Sequence, residues 1–286
     1  MIHFHNVTII GVGLIGGSLA RVLKAAGLAG RITGAGRSRE SLEQALKLGV
    51  IDVISEDRAR SVDNADLVVL ASPVGTFEQV VREIAPHMKS GAILTDVGSV
   101  KGDLVRRIEK ILPSGVSYVP GHPIAGKEKY GVAEATESLF RGAKCILTPT
   151  KKTGAASLDS VKSLWVAAGA QVMLMDADTH DQVFAAVSHA PHVAAYAMVN
   201  AVAGLNTGTK NYIDFSGAGF KDFPRIAASS PEIWRDICLM NRKNIVETLE
   251  RYEESLDDLK KAIHAGDGAA MEKLFRNASD TRKKLG

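Results

Sequence analysis

Residues 11–18 read "GVGLIGGS". The apolar run "NVTIIGVG" leads into this stretch, and the amphipathic pattern "LIGGSLARVLKAAG" leaves it. A strand that turns through spaced glycines into a helix is the entry to a dinucleotide-binding βαβ unit. Gly11 is expected to make the tight turn, Gly13 to let the backbone approach a pyrophosphate, and Gly16 to let helix and strand pack closely. Leu14 and Ile15, between the glycines, count with them as cofactor-binding positions. The helix N-terminus offers free N–H groups and a partial positive charge to phosphates. The motif's place in the first βαβ unit separates it from a glycine turn without a ligand.

Outward from this turn, short apolar runs alternate with helical patterns. "RITGAGR", "ADLVVLASPV", "AILTDVGS", "SYVPGH", "KCILTPT" and "AQVMLM" read as strands, most of them separated by helical stretches. That alternation predicts an α/β fold: an N-terminal Rossmann-type doubly wound parallel sheet covered on both faces, over residues 1–175. From Asp176 the strand patterns stop. "ADTHDQVFAAV" and "APHVAAYAMVNAVAG" are helical and largely apolar. "SSPEIWRDICLMNRKNIVETLERYEESLDDLKKAIHAG" predicts one helix of over thirty residues, with Ser230 as N-cap, Pro231 at the first helical position and a break at Gly266. Residues 176–286 are therefore expected to form an all-α C-terminal domain. Its apolar stripe needs a partner surface, which points to a homodimer through this domain; the alternative is a bundle packed only on the first domain.

Composition excludes several function classes. The 286 residues carry a net charge of +3, with lysines and arginines spread along the chain, so no basic block suggests nucleic acid. Cys145 and Cys238 stand alone in apolar segments and fit neither a disulfide framework nor a zinc spacing, which points to the reducing cytoplasm. The N-terminus lacks the basic region of a signal peptide, and no run of about 18 residues is apolar enough to span a membrane.

The end of the second strand speaks to cofactor choice. An NAD site wants an acid about 20 residues beyond the glycine turn to hold the ribose hydroxyls. Gly36 stands there, followed by Arg37, Ser38 and Arg39. No carboxylate repels a 2′-phosphate, and two guanidiniums and a hydroxyl suit one, so NADP is favoured over NAD. The alternative is that both arginines are solvated while NAD binds through backbone contacts. Ser72 and Pro73, in "ASPV", end another strand at the same crevice.

Ligands of a doubly wound sheet bind outside the carboxyl ends of its strands. "DVGSVKG" (96–102) and "GHPIAG" (121–126) lie at such ends, which brings Ser99 and His122 to the nicotinamide. A histidine there suits a proton acceptor for a substrate hydroxyl, with a serine bonding the same oxygen. The bland alternative is that His122 only caps the turn before Pro123. "SHAPH" (188–192) sets His189 and His192 three apart on a helix. A zinc pair finds no third ligand, and no metal is expected; His192 fits better as a hydrogen-bond donor to a substrate carbonyl or carboxylate, against the reading of a satisfied core histidine. "SGAGFKDFPRIAASSPEIWRD" (216–236) holds Asp222, Arg225 and Trp234, with Arg225 as a carboxylate clamp or as a surface partner of Asp222.

Taken together, "GVGLIGGS", "ASPV", "TDVGSVKG", "GHPIAGKEKYGV", "ILTPT", "AVSHAPHVAA" and "GFKDFPRIAASSPEIWRDI" resemble the prephenate/arogenate (cyclohexadienyl) dehydrogenase family of tyrosine biosynthesis, in family order through nearly the whole chain. The resemblance implies a homodimer and a nicotinamide-dependent oxidative decarboxylation of prephenate or arogenate. It implies His122 as base with Ser99 beside it, and His192, Arg225, Asp222 and Trp234 around the substrate, some of them from the partner subunit. Glu128 would stand at the mouth of the site in an ionic network. Ala218 departs from the family's glycine run, and Gly36 departs from the acid of NAD-using members. No regulatory ACT domain or chorismate mutase module is expected.

Two rival readings make different demands on the sequence. A β-hydroxyacid dehydrogenase would carry a K-x-x-N helix, and no lysine here has Asn three residues on. A dinucleotide-sensing regulator would need the glycine turn but not Ser99, His122 and Arg225.

Overall fold

The computed structural model describes residues 2–126, 131–207 and 210–284. β1 (Phe4–Ile10), β2 (Ala29–Ala35), β3 (Val53–Ile54), β4 (Leu67–Leu70), β5 (Ile93–Asp96) and β6 (Ser117–Val119) form one sheet in the order β3-β2-β1-β4-β5-β6, every pair parallel. The chain starts at the middle, winds to one edge, then returns to wind the other way. The crossover helices are α1 (Leu14–Ala25), α2 (Arg39–Lys47), α3 (Phe77–Ile84) and α4 (Gly102–Ile111). β4 is apolar and buried along its whole length, as a strand covered on both faces must be. Two buried clusters flank the sheet. One centres on Ile9, Leu19, Val69 and Trp165, the other on Ile10, Leu70, Phe77 and Tyr118.

The structure corrects the sequence expectation at three places. "SYVPGH" is two strands, not one. β6 ends before Pro120, which has no N–H to continue the ladder, and β7 (Gly121–Pro123) begins a second sheet. There β7 pairs antiparallel with β8 (Lys144–Leu147), and β8 pairs parallel with β9 (Gln171–Leu174), which α5 (Ala155–Ala167) precedes. Second, the two-residue strand β3 is an edge too short to leave a pattern in the sequence.

Third, the long C-terminal helix is broken. Beyond β9 come α6 (Ala177–Phe184), α7 (Ala190–Ala203), α8 (Ala218–Asp222), α9 (Pro231–Met240), α10 (Arg242–Ala265) and α11 (Gly268–Lys283). Asn241 separates α9 from α10 with φ −108° and ψ 28°. Its side-chain amide is committed to the backbone oxygen of Asp181, at 2.8 Å, and to the ring of His189, at 3.0 Å. The expected caps hold: Ser230 Oγ accepts from the Ile233 N–H, and Gly266 closes α10 in the left-handed conformation.

The helices seat on the first sheet through close approaches. A Cβ at Gly75 would lie 2.2 Å from Asp236 Oδ2 of α9, and one at Gly102 2.5 Å from Asp181 Oδ2 of α6. Arg106 of α4 clamps both carboxylate oxygens of Asp178, at 2.9 and 3.0 Å. No described helix is long and apolar enough to cross a membrane.

Candidate active site

β1 and β4 are neighbours whose following connections run to opposite edges, so a crevice opens beyond their carboxyl ends. A cavity of about 550 Å³ lies there, lined by Gly11, Gly13, Gly36, Arg37, Ser72 and Thr76 among others. The glycine turn fits a dinucleotide. Gly11 has φ +100°, and a Cβ on it would sit 2.5 Å from the Ser72 backbone nitrogen. A Cβ on Gly16 would sit 2.3 Å from the Gly11 oxygen. A Cβ on Gly13 would meet nothing within 4 Å, so that position faces open space. No side chain caps α1 and no acid stands in its first turn, so its N–H groups remain available to phosphates. Leu14 and Ile15 open the helix, half-buried and outside the cavity lining.

At the ribose end, Arg37 and Ser38 line the cavity. Arg39 does not; it is exposed and held by Glu43 and Glu56. Arg58, which sequence reasoning passed over, lines the cavity and pairs with Glu83. Ser72 Oγ shares a hydrogen bond with Thr76 Oγ1 at 2.9 Å, and that hydroxyl lies 2.7 Å from the Pro73 oxygen. The missing acid is not a steric matter: a Cβ at Gly36 would touch only Leu42, at 4.0 Å.

Beyond β5 the chain folds around a buried ion pair. Lys101, fully buried, sends its ammonium to Asp96 Oδ1 and the Gly98 oxygen, each at 2.7 Å. Asp96 Oδ1 also accepts the Gly98 N–H, and Oδ2 accepts the Tyr118 hydroxyl at 2.7 Å. Burial and the Asp96 charge push the Tyr118 hydroxyl's pKa well up. Ser99, half-buried, rides on this loop. Lysine reads as a solvated residue in a sequence, so nothing there marks Lys101 as core.

His122, in the middle of β7, is buried. Its ring meets His180 and Phe184 of α6, with centroids at 5.0 and 4.7 Å. Its Nδ1 is 2.8 Å from His180 Nε2, and His180 Nδ1 is 2.8 Å from Asp181 Oδ1. Asp181 Oδ1 also accepts the Lys101 N–H at 2.8 Å, which ties α6 to the loop bearing Ser99. Burial, then the charges of His180, Lys101 and His189, hold the His122 pKa well below the ordinary histidine value. His180 is lowered mainly by burial, against the hydrogen bond it donates to Asp181, which raises it. Neither His180 nor Asp181 was a sequence candidate. Next to the N-cap Asp176 they look like a solvated first turn.

A π-helical turn over 185–189 joins α6 to α7 and shifts the helical phase. His189 turns inward to Asn241, and burial lowers its pKa to about 4. His192 is half-buried and stacks on Trp234, with ring centroids 3.7 Å apart. Its Nδ1 lies 2.9 Å from the Ser188 oxygen and so carries the proton, leaving the neutral ring a lone pair on Nε2. Burial lowers its pKa too. The expected donor role therefore requires a protonated ring; the neutral ring accepts. Asp222 ends α8 and Arg225 lies in the turn 223–228, both exposed, with that turn packed on α7. The Tyr196 hydroxyl fastens α7 to the Ser229 oxygen at 2.7 Å. Glu128 lies outside the described residues. Among the described residues, no group of three or more metal-binding side chains occurs.

The chain is similar to known proteins over nearly its whole length. Residues 19–174 match the family model "Prephenate dehydrogenase, nucleotide-binding domain", and residues 176–277 match "Prephenate dehydrogenase, dimerization domain". The chain is 35% identical to the prephenate dehydrogenase of Bacillus subtilis over 98% of its own length and 76% of that protein's. It is 34% identical to the cyclohexadienyl dehydrogenase of Zymomonas mobilis, over 99% of this chain and 96% of the other. A crystal structure of Aquifex aeolicus prephenate dehydrogenase, in complex with hydroxyphenyl propionate and NAD+, superposes with a TM-score of 0.94 at 40% identity, covering 99% of this chain and 98% of that one.

Proposed function

The chain belongs to the prephenate dehydrogenase family, a family of nicotinamide-dependent oxidoreductases that act on a small molecule, and on that premise we propose how its residues divide the work. The substrate is prephenate, arogenate or both, and oxidation with decarboxylation yields an aromatic product. Residues 1–175 hold the cofactor; residues 176–286 complete the substrate pocket and pair two subunits. Val187, Phe215, Leu239 and Ile263, each more than 60% exposed in the single chain, support pairing through this half.

Gly11, Gly13, Gly16 and the N-terminus of α1 would hold the cofactor's pyrophosphate, and Arg37 with Ser38 the adenosine ribose. The open space at Gly36 and the guanidinium beside it favour NADP over NAD. A bound nicotinamide would supply the hydride acceptor for the ring carbon that carries the hydroxyl. His122 takes the hydroxyl proton, and the Ser99 hydroxyl orients the same oxygen. Departure of CO2 returns its bonding electron pair to the ring, which becomes aromatic, and the proton held on His122 goes back to the ring oxygen to give the phenol, so the protein's task is positioning and proton transfer. Arg225 holds a substrate carboxylate, and Asp222 belongs to the same wall. His192, backed by Trp234, reads the side chain that distinguishes prephenate's ketone from arogenate's ammonium. Its neutral Nε2 suits the ammonium, and its protonated form suits the ketone.

The observation that carries this reading is His122: a buried histidine held neutral, on the strand after β6 and bound through its neighbours to the Ser99 loop. A base must be unprotonated before it acts. Steady-state kinetics on the wild-type chain with both substrates and both cofactors test the reading. The expected result is turnover of at least one substrate, with higher kcat/KM for NADP. No turnover of either by the folded protein refutes it, and a strong NAD preference refutes the cofactor assignment.

A further inference from the structure

We propose that His180 and Asp181 are positioning residues that hold His122 in the tautomer with its proton on Nδ1 and its lone pair on Nε2. The inference rests on the reading of His122 as the proton acceptor and concerns how that acceptor is kept competent.

The hydrogen bonds dictate one proton order. Asp181 Oδ1 is an acceptor and already receives the Lys101 N–H, so the 2.8 Å contact to His180 must be donated by His180 Nδ1–H. A neutral imidazole has one N–H, so His180 Nε2 carries a lone pair. The 2.8 Å contact between His180 Nε2 and His122 Nδ1 must then be donated by His122. Neutral His122 is left with its lone pair on Nε2, the nitrogen that His180 does not engage. The opposite tautomer would set two lone pairs against each other at 2.8 Å in a buried site, which is costly.

The surroundings fix this chain in place. His180 is fully buried and Asp181 nearly so. Gly102 leaves room for the Asp181 carboxylate that a Cβ would take. Asn241 of the α9–α10 break donates to the Asp181 oxygen, and Phe184 packs on both rings. The charged and titratable groups bearing on the two histidines are Asp181 on α6, Asp96 at the end of β5, Lys101 on the β5–α4 loop, and His189 on the π turn. When the substrate O–H bond breaks, its proton joins His122 Nε2. The imidazolium keeps its Nδ1–H on His180, and Asp181 offsets the positive charge that Lys101 opposes.

Histidine 15N NMR of the wild-type protein tests the proposal without a variant, His122→Asn serving only to identify the His122 resonances. The expected spectrum at neutral pH gives His122 a pyrrole-like Nδ1 and a pyridine-like Nε2, and His180 the same order. In His180→Phe, which keeps ring volume but accepts no hydrogen bond, kcat is expected to fall by about 10² or more while KM changes less than about threefold. A wild-type His122 with its proton on Nε2 overturns the proposal and leaves the dehydrogenase reading intact. So does a folded His180→Phe with kcat within about threefold of wild type. Absence of turnover in the wild type overturns the reading beneath and the proposal with it.

Discussion

Replacing Lys101 by Met tests the strut under the Ser99 loop. The ammonium is fully buried, with Asp96 and the Gly98 oxygen at 2.7 Å. Met keeps the stem's volume and removes the charge. Asp96 then keeps the Gly98 N–H and the Tyr118 hydroxyl but loses its cation. Stranding one member of a buried pair costs about 3–5 kcal/mol. In a protein of this size each kcal/mol moves the midpoint by about 2–4 °C, so a fall of about 6–20 °C is expected. Differential scanning calorimetry of the wild type, Lys101→Met, Asp96→Asn and the double variant measures it. Each single variant should lose stability, and the double should lose clearly less than the two losses added, because no lone buried charge remains. The Lys101 charge also helps to lower the His122 pKa, so the acid limb of the Lys101→Met activity profile should move to higher pH. A single variant melting within about 2 °C of wild type, or an additive double, would refute the buried-pair argument.

Gly36→Asp has room to fold and should turn cofactor preference toward NAD, raising KM for NADP by about 10–100-fold; unchanged preference in steady-state kinetics counts against the ribose-end assignment. Gly11→Ala forces a methyl against Ser72 at φ +100°, so calorimetric titration of the folded variant should show cofactor binding weakened at least about tenfold, and an affinity equal to wild type would place the pyrophosphate elsewhere. Stability should fall as pH drops from about 6.5 toward 4. The unfolded chain protonates His189 near 6.5 and the folded chain only at about 4, so the unfolded state binds more protons across that window, at a cost of about 3 kcal/mol from this group. His122, His180 and His192 act in the same direction, and thermal melts that stay flat from pH 7 to pH 5 would contradict their burial as neutral rings.

The first sheet was legible because buried parallel strands and glycine turns leave strong local marks. β3 left none, since two residues make no pattern. The end of β6 was hidden because Tyr118, Val119, Gly121 and His122 are all extended and buried, and only the partner strand tells that two sheets are involved. The α9–α10 break turns on Asn241, a residue no rule singles out inside a helical run; its reason is tertiary, in the backbone of Asp181 and the ring of His189. In the site, the sequence sets His122 at a strand end and His192 and Trp234 in short motifs, and the structure buries the first and stacks the other two. Lys101, His180 and Asp181 were not legible in the sequence. Each is a charged or polar residue in a helix-start context that reads as solvated, and each is buried by tertiary packing, with α6 lying against both α4 and α10. Arg39 follows Arg37 by two residues, but the i,i+4 spacing of α2 sets it against Glu43, and Glu56 beyond β3 holds it as well.

The central claim is that His122 removes the hydroxyl proton during oxidative decarboxylation. The direct measurement is turnover of His122→Asn at saturating substrate and cofactor, following nicotinamide reduction and CO2 release together, with substrate affinity measured separately by calorimetry. The account predicts kcat lower by about 10² or more, both products falling in step, and substrate affinity within about threefold of wild type. Undiminished turnover, or a loss explained wholly by weaker binding, would contradict it.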